Sequence, residues 1–593
     1  MAHQTYDFVI VGGGTAGLVI GSRLSEDPKL RVVIIESGED QTKKPEALTP
    51  GMWMTLANGE MDWAFDMIPQ KHIEDPTTTF PQGRALGGSS TINSFMFTPT
   101  SKVHIDTIAK LGNSRWDFAT FQDAMKKSVT IHSSSGTKEG TGPVQLRLHE
   151  SEVENNWVNI WSESLQSIGF PKCDPFSGQV CGSFKHFESI DPATNLRSGS
   201  ANAYLPQLHG RPNVTILTSS TVSKILLAKT DAGNVIARGV QVIIDASETI
   251  TIKADKEIIL AAGAISSPRL LENSGIGDAS LLQRLGIDVI IDNPNVGENF
   301  QNHIFTGVCF QVRDDVKTLD PFFRQEPAAV QEAMEAYSRG AGPLASSSLV
   351  ASAQLPLPDS QTIEVKEVLS KLLDAPMSSG TGIEVGSSSS YTEVQKAFVR
   401  DVLESPTEAS AHYMLGPAYS PWEEKDQTYR VEGNYISILV MLSYPLSRGS
   451  THITSANSNL AEGNEGLSID PKHLSHPLDL EIAARHVQFA EQVLAKAEPL
   501  ASKLEPREDR FADLDKAKEY VRKTAKGAYH YTGTCSMMSR DMGGVVDDQL
   551  RVYGCKNLRV CDASIIPIEP RANTQAVVYG VAEMGARLIQ GSI

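Results

Sequence analysis

Cysteine is scarce in this chain, with six in 593 residues, at positions 173, 181, 309, 535, 555 and 561. They are too few and too scattered for a disulfide-built scaffold, and no Cys-x-x-Cys pair offers a zinc or redox centre. Basic charge is in deficit: 53 Lys and Arg stand against 71 Asp and Glu, a net −18. Nucleic acid and anionic membrane both need a basic face, so neither is an expected partner. Long apolar runs are missing too. The longest early candidate, Phe8 to Gly21, has 14 residues, short of the roughly 20 that cross a bilayer. No basic cluster precedes it, which makes it a poor secretory signal, and Gly591-Ser592-Ile593 matches no retention or peroxisomal address. The expectation is a cytoplasmic protein in a reducing compartment, with no metal.

What remains is ordinary globular composition, 40% apolar and 21% charged, which excludes disordered and collagen-like chains. At roughly 150 residues per domain the length allows about four units, or one large α/β assembly with a second domain.

The first forty residues carry the sharpest local pattern. Tyr6 to Val11 is a β-branched run that reads as a buried parallel strand. It enters Gly12-Gly13-Gly14-Thr15-Ala16-Gly17, which opens an apolar helix ending near Leu24, and a second strand, Arg31 to Ile35, stops at Glu36. This is a complete βαβ unit. Gly12 permits the tight turn, Gly14 lets a pyrophosphate approach the backbone, and Gly17 lets helix and strand pack closely. The helix start faces the phosphates with unpaired N–H groups and partial positive charge. Glu36, 19 residues after Gly17, can accept hydrogen bonds from a ribose diol. The unit alone does not separate NAD from FAD.

Four later stretches narrow the choice. Gly83-Arg84-Ala85-Leu86-Gly87-Gly88-Ser89-Ser90-Thr91-Ile92-Asn93 supplies small residues for close approach to a flat ligand, with Asn93 as a hydrogen-bonding group. Gly263 to Gly277 follows the strand Glu257 to Leu260, so a second sheet strand ends in small residues before a helix, with Gly275 placed to end that helix. Val296 to His303 follows shortly after. Near the end come His530-Tyr531-Thr532-Gly533-Thr534 and Asp562-Ala563-Ser564. Asn573 then opens a helix whose apolar positions keep helical spacing to Leu588.

Together these stretches resemble the glucose–methanol–choline (GMC) oxidoreductases, FAD enzymes that oxidise alcohols. The resemblance runs from Tyr6 nearly to the end, with every motif in the family's order. Two positions depart from the family's pattern: Thr100, where a small residue or Pro is usual, and Asn302, where Asp is frequent. The stretch from about 312 to 430, with Ser378-Ser379-Gly380 and Ser387 to Ser390, resembles nothing diagnostic. Substrate-facing loops vary there in this family.

The resemblance implies an α/β fold: a Rossmann-like FAD-binding domain of the glutathione-reductase type, with a second α+β substrate domain built on an antiparallel sheet. It implies FAD held by Gly12, Gly14, Thr15, Ala16, Gly17 and Glu36, by Arg84, Gly87, Gly88, Ser89 and Asn93, and by the backbone of Val222. Asp562 and Ala563 would face the ribityl–pyrophosphate region, and Thr574 completes the set. Ile92 stands where some members carry a flavin-linking histidine, which predicts non-covalent FAD. His530 falls at the family's first catalytic position, as the base that takes the hydroxyl proton while hydride goes to flavin N5. An ordinary histidine titrates near neutral pH and suits that task. Asn573 falls at the second position, holding the alcohol oxygen, though Asn before a helix is also a favoured N-cap.

The expected FAD-binding domain is discontinuous, built from 1–160, 214–306 and 530–593, with 161–213 and 307–529 forming the substrate domain. The alternating strand Tyr435 to Met441 fits the latter's sheet. The expected reaction is oxidation of a small-molecule alcohol, sugar-derived, aryl or other, with O2 or another acceptor, in a biosynthetic step. The competing reading is a lyase or cyclase that keeps FAD without net redox.

Overall fold

A computed structural model describes residues 4–74, 79–132, 138–148, 152–185, 187–245, 248–375, 389–422, 431–456 and 463–592. Ser378-Ser379-Gly380, Ser387 and Ser388, among the variable central loops, lie outside the described residues.

The N-terminal pattern folds as its residues dictate. Gln4–Val11 and Val32–Ile35 are parallel strands, with Val11 beside Ile35 and the helix Thr15–Leu24 between them in the chain. Val9, Ile10, Val33 and Ile34 are fully buried, as β-branched residues in a sheet covered on both faces should be. The sheet has seven strands. Val214–Leu217, Val32–Ile35, Gln4–Val11 and Glu248–Leu260 run parallel, and Leu558–Val560 pairs in parallel with Ile258 to Leu260. Val235–Ile244 and Ser220–Lys229 extend it antiparallel on the far side. Val11, Ile35, Leu260 and Val560 therefore end at one sheet edge, where ligands of open α/β sheets bind.

Two glycines make that edge possible. Gly12 turns with φ +106°. A Cβ on Gly17 would stand 1.9 Å from the Gly12 carbonyl oxygen, so the helix rests directly on the turn.

The second sheet has six antiparallel strands in the order Lys526–Gly527, Ile304–Gln311, Tyr435–Leu442, Ala411–Gly416, Ala351–Leu355 and Gly182–Phe184. The expected strand at 435–441 is its third. Trp157 and Trp161 of the helix Glu152–Ser167 are buried against this sheet, and the Trp161 indole donates to the Ser352 carbonyl at 3.1 Å. Ile304–Gln311 crosses the expected boundary at 306 and ties the sheet to the segment before it.

An ionic clamp fastens the helix Gly263–Asn273 to the strand Ser450–Ile453. His452 Nδ1 lies 2.7 Å from Glu272 and its Nε2 3.0 Å from Glu298. Burial opposes charge on this imidazole, but the two carboxylates outweigh it and push the pKa up to about 10. All six cysteines are free thiols, and burial raises the pKa of each. Among the described residues no helix is long and apolar enough to cross a membrane.

Gly17→Ala tests the contact between helix and turn. Overpacking of this kind costs about 1–3 kcal/mol, so the variant is expected to melt at a lower temperature and to release FAD more readily. An unchanged melting curve and unchanged FAD retention would show that the turn yields freely.

Candidate active site

A cavity of about 590 Å³ opens at the shared sheet edge and extends to the antiparallel sheet. Its wall includes Gly12, Gly14, Thr15, Ala16, Glu36, Gly88, Ser89, Asn93, Val222, Asp562, Ala563 and Thr574, together with His530 and Asn573. Three expected cofactor residues stand behind the wall. Gly17 packs on Gly12. Gly87 donates its N–H to the Gly13 carbonyl at 2.8 Å, and the Arg84 guanidinium lies 4.6 Å over the ring of Trp63, itself a wall residue. They shape the site from one layer back.

The polar groups at the sheet edge fit a dinucleotide. The helix Thr15–Leu24 starts at Gly14 with no side-chain cap, so its first N–H groups remain to meet an anion. Gly14 and Gly88 press together: a Cβ on Gly88 would lie 2.8 Å from Gly14 Cα. The two glycine turns thus form one cradle. Glu36 accepts from Gly13 N at 2.8 Å and Gly38 N at 2.9 Å, and burial lifts its pKa to about 7. Each of its oxygens keeps acceptor capacity for a diol. Asp562 accepts from Gly263 N at 2.9 Å and Ser267 Oγ at 2.6 Å, and also from Ser564 N at 2.8 Å. It both joins two wall segments and caps the short helix Ala563–Ile565.

Asn93 is oriented by a residue the sequence did not point to. The buried Arg197 guanidinium donates to Asn93 Oδ1 at 2.8 Å, to the Asn93 carbonyl at 2.8 Å and to the Ser90 carbonyl at 3.2 Å. Phe95 N also donates to Oδ1 at 3.2 Å. With its oxygen engaged, Asn93 has its amide NH2 left for the cavity.

At the other end, His530 and Asn573 meet, with Asn573 Nδ2 3.3 Å from His530 Nε2. Neighbouring groups fix the histidine's tautomer. His303 Nε2 lies 2.7 Å from the Pro570 carbonyl. A carbonyl only accepts, so that nitrogen carries the hydrogen and His303 Nδ1 keeps its lone pair. His530 Nδ1, 3.0 Å away, then donates to His303 Nδ1. His530 Nε2 is left with a lone pair toward Asn573 and the cavity. Asn302 completes the support: its Oδ1 accepts from His530 N at 2.9 Å and its Nδ2 faces His473 Nε2 at 3.2 Å. Tyr529, just before the base, is held at φ +63°, a conformation that costs a non-glycine residue about 1 kcal/mol or more.

Two expectations are corrected here. Burial, with His412 adding to it, lowers the His530 pKa to about 3, far below the neutral range expected of an ordinary histidine. The imidazole is neutral throughout the physiological range. Asn573 is not an N-cap, since the helix Gln575–Gln590 begins two residues later with Thr574 at its cap position and no side-chain cap bond. Asn573 Oδ1 is buried without a hydrogen-bond partner, as a group meant for a ligand would be.

The wall on the antiparallel-sheet side is mostly apolar, with Lys526 and Ser420 as its polar members. Phe305 and Trp422 meet edge to face at 5.4 Å, with Leu439 and Met96 in the same wall. Of the supporting residues, Asn302 and His303 lie in a stretch that the sequence did mark, whereas Arg197 stands alone.

Comparisons with known proteins match this chain over nearly its whole length. The model of the GMC oxidoreductase family matches residues 6–305 with its N-terminal part and 445–582 with its C-terminal part. The dehydrogenase mpl7 of Monascus purpureus is 31% identical, over 99% of this chain and 96% of that protein. A solved FAD-dependent oxidoreductase from Chaetomium thermophilum superposes with a TM-score of 0.86 at 26% identity, covering 99% of both chains. Formate oxidase from Aspergillus oryzae gives 0.84 at 26% identity, covering 99% of this chain and 98% of that one.

Arg197→Met should remove the guanidinium from Asn93 Oδ1, leaving it only the Phe95 N–H, and from the Asn93 and Ser90 carbonyls, at about 1–3 kcal/mol for each buried acceptor left unpaired. A lower melting temperature with faster FAD loss is the expected result. Retention of FAD at wild-type affinity would separate Asn93 from cofactor binding.

Proposed function

The chain belongs to the GMC oxidoreductase family and is an FAD-dependent oxidoreductase of alcohol-type substrates; we propose that it oxidises a small apolar alcohol, an aryl alcohol in preference to a sugar, with His530 as base. The observation that carries this reading is the lone pair on His530 Nε2, 3.3 Å from Asn573 Nδ2 in a wall of Phe305, Trp422, Leu439 and Met96. A hydroxyl placed between the two side chains donates to Nε2 and accepts from the Asn573 amide. The neutral imidazole is ready to receive the proton at neutral pH. The mostly apolar wall, in which Lys526 and Ser420 are the few polar groups, suits an aromatic body better than a sugar's several hydroxyls.

FAD, when bound, supplies the two-electron acceptor for the carbinol hydrogen. The residues named above at the sheet edge would hold it. The helix Gln575–Gln590 turns its N-terminus to the cavity through Thr574 and Gln575. That end favours negative charge nearby by roughly 0.3–2 kcal/mol. We read the seven-stranded sheet as the core of the FAD-holding unit, drawn from 1–160, 214–306 and 530–593. The six-stranded sheet is the core of the substrate-facing unit.

Mixed anaerobically with an aryl alcohol, the purified holoenzyme is expected to lose its yellow colour, and sugars should bleach it more slowly. His530→Gln should keep FAD bound but slow the bleaching by about 10²–10⁴-fold. Bleaching at the wild-type rate in that variant would remove His530 as base.

With Ile92 lying in the wall where a linking histidine would stand, flavin should pass into the supernatant when the protein is denatured and precipitated. Flavin that stays with the precipitate would show a covalent bond.

A further inference from the structure

Behind His530, on the side away from the cavity, an acid and an imidazole are closed off from solvent. His303 and Glu569 are each 0% exposed. Glu569 Oε1 stands 3.3 Å from His303 Nδ1, the same nitrogen that lies 3.0 Å from His530 Nδ1. Its other oxygen is taken by Thr532 Oγ1 at 2.6 Å, and its backbone N–H donates to Gln301 Oε1 at 2.8 Å. Oε1 itself is a buried oxygen with no hydrogen-bond partner. Pro570 follows Glu569 directly and gives its carbonyl to His303 Nε2. The carboxyl is therefore held on the imidazole by its own backbone.

A buried oxygen without a donor calls for a reason, and the chemistry proposed for His530 supplies one. A proton accepted at Nε2 would leave an imidazolium in a site that disfavours charge. We infer that Glu569 holds the proton for the base: as His530 takes the alcohol proton at Nε2, its Nδ1 proton moves to His303 Nδ1 and from there to Glu569 Oε1. The inference rests on the reading of His530 as base. The balance closes within the line. The substrate O–H bond breaks and an Nε2–H bond forms on His530, whose Nδ1–H bond breaks. A His303 Nδ1–H bond forms and breaks in turn, and an Oε1–H bond forms on Glu569. One proton enters, one negative charge is cancelled, and the carbinol hydrogen leaves with its electron pair to FAD.

Only the ionised carboxylate can accept. Burial raises the Glu569 pKa to about 8, with Thr532 and then Arg448 acting against it. His303 also faces Glu569, with His530 and His104 acting on His303 and His412 acting on His530. Below about 8 the carboxyl is protonated and the line is already full. Above it the line is open, so the rate at saturating alcohol should rise with pH through that value.

The test is anaerobic single-turnover flavin bleaching by a saturating aryl alcohol from pH 6 to 10, roughly two units either side of that value, in wild-type holoenzyme, Glu569→Gln and Glu569→Asp. In the Gln variant the rise should vanish and the rate above pH 8 should fall by about tenfold or more, FAD staying bound. The Asp variant should restore part of the rate together with a displaced rise. A Gln variant that keeps the wild-type profile overturns the inference, while a His530→Gln enzyme that bleaches normally overturns the base reading instead. Should the Gln variant not fold, infrared difference spectra of wild-type protein carrying 13C-labelled glutamate decide. A protonated glutamate carbonyl band must appear on bleaching above pH 8, and its absence refutes the proposal.

Discussion

One carboxylate joins the middle of this chain to its C-terminal segment. Asp562 follows the strand Leu558–Val560 and accepts from Gly263 and Ser267, which follow Glu248–Leu260. The bonds bridge about three hundred residues of chain and fix the edge at which five parallel strands end. Everything that faces the cavity hangs from that join. The C-terminal helix starts a few residues beyond it, Asn573 stands between, and Pro567 to Pro570 runs from it to the floor under His530. Ser564 returns two hydrogen bonds to the same carboxylate, the backbone one at 2.8 Å, so the join is satisfied from both sides. A buried carboxylate without those donors would be costly. With them it sets the register of two segments that neither could set alone.

The same burial that holds the join in place explains the behaviour of the ionisable groups. Glu36, Asp562 and Glu569 are all pushed toward their neutral forms, and His530, His303, His473 and His486 are held uncharged. His452 is the contrast. Two carboxylates surround it, and the pair of attractions exceeds the loss of water. Dry surroundings thus give opposite results depending on what is within hydrogen-bond reach. A base that is neutral at all physiological pH values cannot report its own titration in activity. Any pH dependence near neutrality must come from its neighbours.

Much of the fold was legible because its signals are local. Val9 to Val11, the glycines at 12, 14 and 17, and the acid at 36 fall within one βαβ unit, so pattern and spacing identify it. The antiparallel strand at 435–442 was legible by alternation, although Ser437, a polar position in that alternation, is fully buried and donates to the Ala418 carbonyl at 2.7 Å. Asn573 misled as a cap because one residue of sequence does not reveal where helical backbone begins. The His530 charge state was illegible, since its burial is made by residues far away in the chain. Glu569 gave no signal at all. An isolated acid between prolines looks like a loop residue until the fold closes around it. Arg84, Gly87 and Gly17 belong to the right motifs, yet whether a motif residue faces a ligand or supports one that does is decided only in three dimensions.

The cysteines gain meaning from their placement. Every thiol is held in its protonated form by burial, and a thiol is a far weaker nucleophile than a thiolate. The protein therefore handles oxidising equivalents at its centre while keeping its cysteines in their less reactive form. Cysteine oxidation, with its slide toward sulfinic and sulfonic acids, is slowed accordingly in the folded chain, most of all at the enclosed Cys535, Cys555 and Cys561. Alkylating reagents would reach the buried Cys535, Cys555 and Cys561 only as the fold opens, so those three sulfurs act together as a silent gauge of compactness, set apart from the partly exposed Cys173, Cys181 and Cys309.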